Sequence, residues 1–186
     1  MTDAFCDVSG DADGWLADAR RVVSPNQDAR PDGERARLIV IHSISLPPGR
    51  FGGEAIEQLF TNRLDPAGDP YFREVHHLRV SAHFLVRRDG ELIQFVATSQ
   101  RAWHAGASCW RSRERCNDFT IGIEVEGADD QDFTANQYER LAALVRLLRE
   151  QQPIEAIVGH ADIAPGRKTD PGPHFDWRLL RELTDD

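Results

Sequence analysis

Between Gly159 and Gly172 the chain reads Gly159-His160-Ala161-Asp162-Ile163-Ala164-Pro165-Gly166-Arg167-Lys168-Thr169-Asp170-Pro171-Gly172. This puts an imidazole, an ammonium and a carboxylate on one proline-stiffened loop. A second imidazole, His42, closes the apolar run Leu38-Ile39-Val40-Ile41 far upstream. Two histidines and a carboxylate suffice to hold a catalytic zinc with one coordination position left for water. Metal-assisted hydrolysis is therefore the chemistry to test. The competing reading is two unrelated histidines at strand ends, with Asp170 an ordinary turn residue before Pro-Gly.

Other residues offer supporting chemistry. In Thr120–Glu126, Ile121, Ile123 and Val125 alternate with Gly122, Glu124 and Glu126. A carboxylate on the second face could take a proton from an activated water, but spacing does not choose between Glu124 and Glu126, and a solvated face is the alternative for both. Lys168 could stabilise an oxyanion or be a surface lysine. His104, in Ala102-Trp103-His104-Ala105-Gly106, reads either as a substrate wall or as a packed corner. His76 and His77 read as surface residues, His83 as a hydrogen-bonded, partly buried one, and His174 as structural. Arg101, Arg111, Arg113 and Arg115, with Arg79 and Arg167, could form a cationic patch for a carboxylate-bearing substrate or a solvated charge run.

These groups need rigid supports. Leu38–Ile41 has the continuous apolar pattern of a strand covered on both faces, and residues 154–158 return as another ending near His160. Both histidines thus follow apolar strands, where a rigid backbone can present a ligand. Ile56, Leu59 and Phe60 predict a short helix over 53–63, followed by a long connection over 65–80. Asp89-Gly90 joins two apolar segments as a hairpin. Thr134 and Gln137 form a capping box before Tyr138, Leu141, Ala142, Val145 and Leu148, and Pro153 ends that helix. Asp176 opens a last one, while residues 24–33 read as a loop. Strands alternating with helices, plus one hairpin, predict a single α/β domain with a central mixed β-sheet flanked by helices.

The net charge of −9 argues against nucleic acid and anionic membranes as partners. Residues 1–14 carry four aspartates and no Lys or Arg, and read as an acidic, flexible tail preceding a domain over 15–186. They lack the pattern of a secretory signal, so cytoplasmic residence is expected. Cys6, Cys109 and Cys116 form no C-x-x-C pair and read as free thiols, with Cys109 and Cys116 close enough in sequence to pair under oxidation.

Several segments in order resemble one family. They are Ile41-His42 followed by Ser45-Leu46-Pro47-Pro48-Gly49, His77-Leu78-Arg79-Val80-Ser81-Ala82-His83, Arg101-Ala102-Trp103-His104-Ala105-Gly106, Glu114-Arg115-Cys116-Asn117-Asp118-Phe119, Ile121-Gly122-Ile123-Glu124 and the 160–172 loop. Together, from about Gly14 to Leu183, they resemble the cytosolic N-acetyl-anhydromuramoyl-L-alanine amidases of bacterial cell-wall recycling, the AmpD type. The wider family includes phage lysozyme-like amidases and peptidoglycan recognition proteins. The resemblance implies zinc held by His42, His160 and Asp170, with Glu124 and Lys168 as catalytic residues. It implies a muropeptide groove lined by Arg79, Trp103, Arg115 and Arg167. It departs at Ser43, where the family usually has Asn, and a hydroxyl offers fewer donors for sugar recognition. The reaction implied is hydrolysis of the amide between the lactyl group of (1,6-anhydro-)N-acetylmuramic acid and L-alanine in soluble muropeptides; a monomer is expected. Three rivals remain: a muropeptide-binding protein without activity, a glycosidase using Glu124 and Glu126, and an amidase acting on intact peptidoglycan.

Overall fold

A computed structural model describes residues 13–185. In chain order its elements are β1 (Arg20–Arg21), β2 (Gln27–Ala29), β3 (Leu38–Ile44), α1 (Ala55–Phe60), α2 (Pro70–Val75), β4 (Phe84–Val86), β5 (Leu92–Gln94) and β6 (Gln100–Ala102). There follow β7 (Cys109–Trp110), β8 (Arg113–Glu114), β9 (Thr120–Glu126), α3 (Ala135–Gln151), β10 (Ala156–Gly159), α4 (His160–Ile163) and α5 (Trp177–Thr184). Six strands form one mixed sheet in the order β1-β5-β4-β9-β3-β10. Among the described residues its only antiparallel pair is the β4–β5 hairpin, closed at Gly90, where φ is +89°. The mixed α/β architecture predicted from the alternation of patterns is the observed one.

Burial explains why the central strands are uniformly apolar. Leu38, Ile39, Val40 and Ile41 are all fully buried because both faces of the sheet are covered. On one face Ile39, Ile41, Ile121, Ile123 and Val125 pack against the stripe of α3, including Tyr138, Leu141 and Val145, and against Leu180 of α5. On the other, Leu38 and Val40 meet Ala105, Cys116, Phe119 and Ile163, while Leu85 and Ile93 meet α1. The capping box of α3 is present: the Thr134 hydroxyl accepts from the Gln137 backbone N–H, and Gln137 reaches back to Thr134 N–H. The Asp176 carboxylate caps α5 by accepting from the backbone N–H of Leu179.

The structure revises three expectations. The 65–80 connection contains α2, started by Asp69, whose carboxylate accepts from Tyr71 N–H, with Pro70 in the first turn. The 24–33 loop includes β2, which pairs with β6. No face of β9 is solvated, since all seven residues are buried. Most of the expected 1–14 tail lies outside the described residues, but Gly14 is held, its carbonyl accepting from Thr98 N–H and the Gln94 side chain. Cys109 and Cys116 are free thiols, and Cys6 lies outside the described residues.

Candidate metal centre and its groove

Parallel register builds the site. In β10 against β3, Gly159 lies opposite Ile41; in β3 against β9, His42 lies opposite Glu124. In-register residues of neighbouring parallel strands point to the same face about 4.8 Å apart. Glu124 on β9, His42 on β3 and His160 just past the end of β10 therefore lie side by side, in the order β9-β3-β10, although they are far apart in sequence. His42 lies within β3 rather than beyond its end, and His160 opens α4.

The 160–172 loop brings back the third ligand candidate. Asp162 accepts from Gly159 N–H to start α4, and the Ala161 N–H donates to the carbonyl of Asp170 at 2.9 Å. Pro171 packs directly on Gly159, where a Cβ would come within 2.8 Å of its ring. This closure sets the Asp170 carboxylate beside both imidazoles. His42 Nδ1 lies 3.0 Å from His160 Nδ1 and 3.1 Å from Asp170 Oδ2, and His160 Nδ1 lies 3.0 Å from the same oxygen.

That triangle fits a divalent ion. Tetrahedral bonds of ~2.0–2.1 Å would separate ligand atoms by ~3.3–3.4 Å, a few tenths of an ångström wider than observed. The electronic argument agrees. His160 Nε2 faces the carbonyl of Ala105 at 3.2 Å, and a carbonyl only accepts, so the proton of a neutral His160 sits on Nε2 and its Nδ1 is a bare lone pair. Burial pushes His42 down to about 4, so this ring is neutral near pH 7. Burial alone would raise Asp170, but the His160 and His42 rings beside it outweigh burial and hold the carboxyl below its ordinary value. Lone pairs and a carboxylate this close call for a cation among them.

Glu124 faces the same space. Burial raises its carboxyl well above the usual value; nearby Asp170 adds to the rise and Lys168 opposes it. Its Oε2 is buried and has no hydrogen-bond partner among the described residues. A buried carboxyl oxygen left unpaired at a cleft is the form expected of a proton acceptor awaiting substrate or water. Glu126 differs. Its carboxylate accepts from Arg87 at 2.9 Å, from Gly52 N–H at 2.7 Å and from Arg88 N–H at 3.2 Å, fixing the loop after β3 to the sheet. An acid/base pair of the two glutamates is thereby ruled out.

The resulting cavity, of about 690 Å³, is lined by His42, Ser43, Glu124, His160, Lys168 and Asp170 together with an apolar wall of Leu46, Leu59, Tyr71, Val75 and Leu78. Asp129 and Asp130 lie on its rim, and Asp129 accepts from the Thr169 hydroxyl. Arg79, Trp103, Arg115 and Arg167 are not among its lining residues. Arg115 and Arg167 border a separate depression with Gly106 and Pro165. Trp103 donates from its indole N–H to Asp28, and Arg79 donates to the carbonyl of His77. Arg167 donates to the carbonyls of Ala105 and Ala107, clasping the ligand-bearing loop to the 104–108 turn. The supposed cationic patch is largely spent internally: Arg101 pairs with Asp28 and Asp118, Arg113 with Glu34, and Arg115 with Asp118.

Sequence reading gave Asn117 no role, yet its side-chain oxygen accepts the backbone N–H groups of both His104 and Ala105. It thereby holds the turn whose carbonyl orients His160. His104 itself leans over Gly122, where a Cβ would come within 2.4 Å of its ring. Gly122→Ala is accordingly expected to destabilise the protein by about 1–3 kcal/mol, through overpacking against a ring with nowhere to go. Thermal melts check this, and an unchanged Tm would refute the close-packing argument.

A family profile described as N-acetylmuramoyl-L-alanine amidase matches residues 32–173. The chain is 58% identical over 172 residues to a 1,6-anhydro-N-acetylmuramyl-L-alanine amidase, AmpD, of Escherichia coli (strain K12), covering 91% of this chain and 94% of that protein. A crystal structure of a selenomethionine AmpD derivative superposes with a TM-score of 0.92 at 56% identity, covering 94% of this chain and 98% of that one. A complex of the E. coli amidase AmiD with anhydro-N-acetylmuramic acid-L-Ala-D-gamma-Glu-L-Lys superposes with a TM-score of 0.60 at 30% identity, covering 94% and 65%.

Proposed function

Because the chain belongs to the N-acetylmuramoyl-L-alanine amidase family, we propose that it hydrolyses the amide between the lactyl group of 1,6-anhydro-N-acetylmuramic acid and L-alanine in soluble muropeptides. The observation that carries this reading at the level of chemistry is the 3.0–3.1 Å triangle of His42, His160 and Asp170 beside the unpartnered carboxyl of Glu124. His42 and His160, through their Nδ1 atoms, and Asp170, through Oδ2, would hold the ion, which we assign as zinc. Bound there, zinc supplies Lewis acidity that makes water a nucleophile near neutral pH.

The chain's own residues do the rest. Glu124 Oε2 takes the proton of the attacking water and later returns it to the departing alanine nitrogen. Lys168, on the cavity wall, places its ammonium toward the oxyanion that forms on the lactyl carbonyl. The apolar wall covers the less polar faces of the substrate and excludes water from the reacting carbonyl. Ser43 is assigned to the sugar side; Arg115 and Arg167, bordering a second depression, are assigned to the peptide carboxylates, with Arg79 and Trp103 as outer contacts. No helix among the described residues is long and apolar enough to cross a membrane. The cytoplasm is the compartment we propose, with the chain acting there as a monomer in cell-wall recycling.

Mass-spectrometric time courses on soluble anhydro-muropeptides and on isolated cell wall test the proposal. Free peptide and anhydro-sugar should appear rapidly from the former and scarcely from the latter, and a chelator should stop the reaction. Binding without turnover in the presence of zinc would make the protein a muropeptide receptor. Equal release from intact wall would move its substrate outside recycling.

A further inference from the structure

The two histidines of the triangle are held in different ways. His160 Nε2 faces a carbonyl, which can only accept. His42 Nε2 lies 2.8 Å from His104 Nδ1, and His104 Nε2 lies 2.9 Å from the Thr120 hydroxyl. Imidazole and hydroxyl can each donate or accept. Behind them, His83 is fixed: its Nδ1 accepts the Gly122 N–H, so its own proton sits on Nε2, 3.1 Å from the carbonyl of Gln100. The branch through His42 is built of groups that both donate and accept, so it can run in either direction.

We propose that His104 and Thr120 form a two-way hydrogen-bond relay that sets which ring nitrogen of His42 carries its proton, making His104 a positioning residue for the metal centre. This rests on the metal-site reading given above. Without a cation, the bare His160 Nδ1 and the Asp170 carboxylate need a hydrogen from the third corner. His42 then carries its proton on Nδ1, its Nε2 accepts from His104 Nδ1–H, and His104 Nε2 accepts from the Thr120 hydroxyl. With the ion bound, every corner of the triangle must be a lone pair. His42 then carries its proton on Nε2 and donates to His104 Nδ1, while His104 donates from Nε2 to Thr120. Each ring holds one proton and the hydroxyl keeps its own in both arrangements, so no proton is gained or lost. No heavy atom has to move, because the same two contacts serve both directions. The seat is built for it: Gly122 leaves room for the ring, and Asn117 fixes the backbone that carries it.

Long-range ¹H–¹⁵N correlation spectra of the full chain labelled at histidine, recorded after EDTA dialysis and again with one equivalent of Zn²⁺, read the protonated nitrogen directly. His42 and His104 should both switch from Nδ1–H to Nε2–H, with His160 and His83 remaining Nε2–H throughout. Zinc affinity, measured against a chromogenic chelator, should fall about 10- to 100-fold in His104→Phe, the usual loss when a ligand's orienting partner is removed. It should recover largely in His104→Asn, whose amide can turn to donate or accept, and fall about 2- to 10-fold in Thr120→Val. If zinc binds and His104 keeps its proton on the same nitrogen, the relay is overturned while the metal site stands. If zinc leaves the signals of His42 and His160 unperturbed, the metal assignment fails and the relay with it.

Discussion

Asp170→Ala is expected to lose its metal on gel filtration and to lower turnover of soluble anhydro-muropeptides about 10³-fold or more, since Lewis-acid assistance is worth several kcal/mol of barrier. The fold should survive. The structural work at this position is done by the backbone, whose carbonyl accepts from Ala161 N–H at 2.9 Å, and alanine keeps that bond. Among the described residues the lost carboxylate is the one negative charge in direct contact with both imidazoles. Removing it cannot be offset by protonating His42, because burial already lowers that ring to about 4 and Asp170 is what partly opposes the fall. Two neutral imidazoles alone make a weak site. Asp170→Asn separates charge from shape: it fills the same volume and should be nearly as inactive. Stoichiometric metal in Asp170→Ala with more than a tenth of the original rate would contradict the ligand set.

How far the sequence alone could reach differs from residue to residue. The strands leading to His42 and His160 were legible because a two-faced buried strand is a continuous apolar run, as in Leu38–Ile41. What composition cannot encode is register. That Gly159 lies opposite Ile41, and His42 opposite Glu124, follows from long-range strand pairing and turns a list of candidates into a site. The choice between Glu124 and Glu126 needed the same information. Both share a strand face, but Glu126 is neutralised by Arg87, 39 residues away, which no local pattern records. Nor does local pattern sort the arginines: Arg101 and Arg113 find their acids within the fold, whereas Arg115 and Arg167 border a depression. Helix α2 was missed although Asp69-Pro70 is a recognisable start, because Tyr71, Phe72 and Val75 within six residues are too short a stretch to establish a period.

Glu124→Gln should separate catalysis from stability more sharply than any other substitution. The amide cannot take a proton from water, so kcat should fall about 10²- to 10⁴-fold, the range for a lost general base. The three-atom triangle does not include Glu124, and metal content should remain stoichiometric. Stability should move the other way. Burial and Asp170 raise the folded-state pKa of Glu124 above its ordinary 4.5. A carboxyl raised in this way binds its proton more tightly when folded than when unfolded. Its contribution is therefore full below about 4.5 and is lost as the pH rises toward the folded value. The metal-free glutamine variant carries no such penalty. Its Tm should match that of the wild type near pH 4 and exceed it by a margin that widens toward neutrality. A bound divalent cation favours the ionised carboxylate and should narrow that margin. Thermal melts from pH 4 to 7, with and without zinc, measure both effects. A margin independent of pH would mean that Glu124 is not held against its ionised form. The unpaired oxygen at the cavity would then have to be explained without assigning it the proton of the attacking water.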